Sequence, residues 1–137
     1  MSSTGVSRNI VILACAISAG IHGALVPEHF DEGAWPGLGF VAATVLLAAL
    51  ALTLTVRPTT GLAPAAATAV FAGLLVSYAL ATTTGFPLLH PDPEPVEDLA
   101  LFTKAIEVVG LLAALQLFAG GRRAVVATFR QPKGTWT

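Results

Sequence analysis

Four long apolar runs constrain this chain more than any other feature. They cover about Asn9–Val26, Gly37–Val56, Leu62–Thr83 and Val96–Ala119. Each holds about 18 to 24 residues, and at about 1.5 Å per residue a helix of that length crosses a hydrocarbon core of about 30 Å. Pro27 and Trp35-Pro36, Arg57-Pro58, Gly85 to Pro95, and Gly120-Gly121-Arg122-Arg123 punctuate the runs. The pattern predicts an all-α fold: an integral membrane four-helix bundle, up-down-up-down, as a single domain over residues 1–137.

Composition agrees. The chain is 55% hydrophobic and 11% charged, where a soluble domain carries roughly a quarter charged residues. A net charge of -1 without a basic stripe excludes nucleic acid as a partner and leaves the lipid bilayer. Cys15 is the single cysteine, which rules out an internal disulfide and any CxxC metal motif. Arg8 before an apolar run resembles the start of a signal peptide. The run passes through Gly20, His22 and Gly23 to Val26 and three more follow, so the first segment reads as a retained membrane helix.

Charge sets the expected orientation. Arg8, Arg57 and the tail residues Arg122, Arg123, Arg130 and Lys133 fall on one side of a four-pass chain. Glu28, Asp31 and Glu32 in the first loop, with Asp92, Glu94, Glu97 and Asp98 in the third, fall on the other. The positive-inside rule then places both termini in the cytoplasm of a cell (plasma) membrane protein. The basic tail, residues 120–137, is expected on the inner leaflet or disordered. Loop three, with Pro87, Pro91, Pro93 and Pro95, reads as an extended strap.

The chemistry gathers around the fourth run. Beyond Glu97 and Asp98 in its first turn, it carries Lys104 and Glu107, three positions apart and on one helix face. Charge at that depth is costly and faces a protein interior. Glu107 is too short to snorkel; Lys104 has the stem to do so. Two readings are open: a Lys–Glu pair that fixes packing, or a carboxylate that handles protons or ions.

Helix one offers partners. Cys15, Ser18, His22 and His29 follow helical spacing, with His22 about four residues inside the outer end and His29 beyond Pro27. His22, His29, Glu28, Glu107 and His90 all lie in the outer half and form a candidate imidazole–carboxylate set for a copper, zinc or iron ion. A bis-histidine haem needs two ligands at similar depth on facing helices, and only His22 lies within a helix, which disfavours haem unless a dimer supplies the second. Thr44, Thr53, Thr55 and Thr82 to Thr84 are expected to bond back to their own helices, and Cys15 to act as a small apolar residue.

Three short pieces carry a resemblance: Gly20-Ile21-His22-Gly23-Ala24-Leu25-Val26-Pro27-Glu28-His29-Phe30, Thr83-Thr84-Gly85-Phe86-Pro87, and Thr103-Lys104-Ala105-Ile106-Glu107. Over most of its length the chain resembles a group of uncharacterised small four-helix integral membrane proteins of actinobacteria. The group has no known activity, so the resemblance implies a fold and a membrane home. Three functional classes stay open: a non-catalytic accessory or oligomeric membrane subunit, with a homo-oligomer or another membrane protein as partner; binding or transport of a metal ion or proton through His22, Lys104 and Glu107; and a membrane redox or haem protein.

Overall fold

The computed structural model describes residues 3–57, 61–85 and 92–129, with residues 122–129 as backbone. Among these residues the chain is all-helical: α1 (Ser3–Glu32), α2 (Ala34–Val56), α3 (Leu62–Thr83) and α4 (Asp98–Phe129). All four are long and apolar enough to cross a membrane, α4 through its stretch Asp98–Gly121.

Helices two and three keep close to the boundaries that the apolar pattern predicts. Pro36 and Pro64 each sit in a first turn, where a missing N–H costs nothing. α3 ends at Thr84, whose amide bonds Leu80 O at 3.0 Å. Gly85 follows with φ 64°, the left-handed conformation that closes a helix and that a side chain disfavours. The strap is tied back here, because the Glu94 amide bonds Ala81 O at 3.0 Å and satisfies a carbonyl of the last turn.

The outer helices run longer than expected. Pro27 is read from sequence as a stop, yet α1 continues through it to Glu32. Proline removes only its own N–H, and membrane helices tolerate that loss where neighbouring helices pack against the site. Thr44 of α2 lies against Gly23, the residue whose carbonyl Pro27 leaves free. The first loop shrinks to extended Gly33 (φ 160°, ψ 162°) between bonds Gly33 N to His29 O and Gly37 N to Gly33 O. Glu28 and His29 are therefore helical and not loop residues. α4 likewise passes Gly120, Gly121 and the arginines to Phe129, so the first part of the basic tail is helix. Residues 130–137 lie outside the described residues.

Consecutive helices pack side by side, and α4 returns to α1. Ser7 meets Gln116 and Ser18 meets Glu107, rising numbers on α1 against falling numbers on α4. The α1–α2 and α3–α4 seams show the same opposition: Phe30 with Gly37 and Gly23 with Thr44, then Phe71 with Gly110 and Tyr78 with Lys104. The core is Val11, Ala14, Cys15, Ala19, Leu47, Leu50, Leu54, Ala63, Ala67, Phe71, Ala113 and Ala114. Phe71 fills its centre, over Gly110 of α4, which has no side chain to meet it.

Polarity runs from inside to outside. Ser18, His22, Thr103 and Glu107 are buried, while Leu13, Val45, Leu52, Leu62, Val109 and Leu112 are exposed. A water-soluble bundle buries those leucines and valines; here the exposed surface suits a solvent as apolar as the core. The threonines satisfy their own hydroxyls within the helices, as Thr44 to Phe40 O at 2.8 Å, Thr53 to Ala49 O at 2.7 Å and Thr103 to Leu99 O at 2.7 Å.

Candidate functional site

A buried polar cluster lies between α1 and α4. Its centre is Glu107, with no exposed surface. Nine positions into α4, it stands about 14 Å from the helix start, near the middle of a core about 30 Å thick. A carboxylate there requires donors, and each oxygen has one. Lys104 Nζ donates to Oε2 at 2.6 Å from one turn above, and Ser18 Oγ donates to Oε1 at 2.8 Å from α1.

Lys104 does not snorkel. Its ammonium turns inward to Glu107 and its side chain is 15% exposed. The Tyr78 ring of α3 lies 5.4 Å from Nζ, close enough for a cation–π contribution. Tyr78 Oη is itself buried and has no hydrogen-bond partner among the described residues.

His22 completes the cluster. Its Nδ1 is 2.9 Å from Ser18 O and 3.3 Å from Ser18 Oγ. A carbonyl oxygen only accepts, so Nδ1 carries a proton. Nε2 then points toward Glu107 Oε1 at 3.9 Å, inside ion-pair range and beyond a hydrogen bond. Because α1 continues to Glu32, His22 lies ten positions from that end and not about four as expected from Pro27. The register that sets Ser18 opposite Glu107 puts His22, one turn further along α1, about level with Lys104, and its ring reaches back toward Glu107.

His29 and Glu28 stand apart from this centre. His29 Nδ1 bonds Leu25 O at 3.0 Å, and its ring stacks on Phe40 with centroids 3.5 Å apart. Phe40 also touches His22, at 5.2 Å between centroids, so one ring contacts both imidazoles. Glu28 is exposed. His90 lies outside the described residues. Among the described residues no group of three or more His, Cys, Asp or Glu side chains is placed to hold a metal ion. The donors converging on Glu107 are instead an ammonium and a hydroxyl.

Sequence reasoning put Ser18 on the right face and stopped there; its bond to Glu107 depends on helix register. Phe40 and Tyr78 were missed as neighbours of the site, because an aromatic in an apolar run carries no signal of what it covers. Comparison of the chain with protein-family models, with curated protein sequences and with solved structures finds no match. The fold and the cluster together define its class: an all-helical bundle among the described residues, with four helices long and apolar enough to cross a membrane and a buried charge cluster on the seam between α1 and α4.

Proposed function

We propose that this chain is a small non-catalytic membrane protein, an accessory or oligomeric subunit inserted up-down-up-down in the plasma membrane with both termini in the cytoplasm. One observation carries the reading: Glu107 is fully buried and both its oxygens already hold donors from the chain itself. A group that does chemistry on a substrate has to meet it, and this carboxylate is closed by Lys104 and Ser18. Its role is then structural, fixing α1 against α4. The cleft of about 310 Å³ lined by Ser3, Ser7 and Gln116 lies at the other end of that seam. The charge layout supports the orientation, and the resemblance to small actinobacterial four-helix proteins supports the membrane home.

Purified protein in lipid vesicles, loaded with a pH dye or a zinc-sensitive dye, tests this. The expected result is no proton or zinc flux above empty vesicles, with native mass spectrometry giving the number of chains per assembly. Flux that Glu107→Gln abolishes would overturn the non-catalytic reading in favour of transport.

A further inference from the structure

The same cluster holds an arrangement that a packing role does not require. Nδ1 of His22 is pinned as a donor by Ser18 O at 2.9 Å. In the neutral imidazole Nε2 therefore presents a lone pair, and it points at Glu107 Oε1, another acceptor, 3.9 Å away. Oε1 spends its close contact on Ser18 Oγ and Oε2 on Lys104 Nζ, so the carboxylate meets Nε2 with charge and no proton. Two buried acceptors face to face are complemented by a proton between them.

We propose that His22 Nε2 and Glu107 Oε1 form a proton-binding site at the middle of the bundle. A hydronium ion gives up one O–H bond and leaves as water while its proton adds to the Nε2 lone pair and makes an N–H aimed at Oε1. The cluster passes from Lys104⁺, Glu107⁻ and neutral His22 to the same pair with His22⁺, a gain of one charge. The groups facing the imidazole fix the balance on every side. α4 contributes Glu107, which favours the proton, and Lys104, which opposes it. α1 contributes His29 beyond the Phe40 ring, α3 contributes Tyr78 beside Lys104, and α2 contributes Phe40 and no charged residue. Glu107 is the nearest charge and an opposite charge within about 4 to 6 Å favours the proton, while burial of the ring opposes it. This inference goes beyond the accessory role and does not depend on it, since a proton can be bound without being carried across.

The test is nitrogen-15 NMR of histidine-labelled full-length protein in detergent between pH 8 and pH 4, with His22 signals assigned by their loss in His22→Gln. The expected neutral form has its proton on Nδ1, and acidification adds the second proton at Nε2. In Glu107→Gln that proton is held about tenfold less tightly. A neutral form protonated on Nε2, or a folded Glu107→Gln with unchanged affinity, would overturn the proposal. Where Glu107→Gln does not fold, the infrared carboxylate bands of the unmodified protein decide. A Glu107 band that shifts as His22 takes its proton, and does not shift in His22→Gln, supports the site; no shift refutes it.

Discussion

Replacing Gly110 by alanine separates close packing from helix propensity. A Cβ built at Gly110 meets Phe71 Cζ at 2.6 Å, Phe71 Cε2 at 2.7 Å and Ala14 Cβ at 2.8 Å. Carbon atoms rest about 3.5 to 4.0 Å apart, so each contact is short by roughly 1 Å. Neither neighbour has room to yield: Phe71 is fully buried, and the Ala14 methyl is fixed to the α1 backbone. α4 has to withdraw from both α1 and α3, and the Ser18–Glu107 bond, now 2.8 Å, stretches with it. Overpacking of this kind costs about 1 to 3 kcal/mol. The gain in helix propensity from glycine to alanine offsets about 1 kcal/mol of that. Gly110→Ala is therefore expected to lose up to about 2 kcal/mol. Gly73 has nothing within 4 Å of its built Cβ, so Gly73→Ala is the matched control and keeps or gains stability. The assay is reversible unfolding in mixed micelles followed by far-ultraviolet circular dichroism. If both alanines stabilise equally, α4 does not approach α1 and α3 as described and the reasoning fails.

Three further predictions concern the cluster and its surroundings. Glu107→Gln leaves the Lys104 ammonium without its anion and is expected to cost about 3 kcal/mol; Lys104→Met with Glu107→Gln recovers much of the loss in thermal melts, and equal loss in both would refute the pairing. Tyr78→Phe removes a buried hydroxyl that has no partner among the described residues and keeps the ring under Lys104. It is expected to raise stability by about 1 kcal/mol, read as a higher denaturant midpoint. Gly85→Ala forces a side chain into φ 64° at the end of α3. That costs about 1 to 2 kcal/mol, and an unchanged melting temperature would argue against the left-handed cap.

The helices were legible because lipid imposes their length and polarity residue by residue. Lys104 and Glu107 stood out for the same reason, as charges where none is cheap. Pro27 misled: the rule that proline ends a helix assumes a water-exposed backbone, and here α2 packs against the turn that proline disturbs. That one boundary moved Glu28 and His29 from loop to helix. The pairing of Ser18 with Glu107 was not legible at all. It depends on the register of α1 on α4, which follows from how Gly110 lets the helices approach.

That register raises the question of what selects it. In lipid, apolar side chains gain nothing by choosing one partner helix over the surrounding tails, so directional contacts and shape have to decide. α1 and α2 are joined through Gly33, and α2 and α3 through a short connection, so the chain itself limits how those pairs slide. α1 and α4 have no such connection. Their seam carries hydrogen bonds between the two helices, Ser7 with Gln116 at one end and Ser18 with Glu107 toward the other, with the Ala14–Gly110 approach between them. A slide by one helical turn would break both bonds and drive a side chain into Phe71 or Ala14. The same bonds that fix this register hold Glu107 opposite His22. The positioning of the proton site and the closure of the bundle therefore follow from one set of contacts.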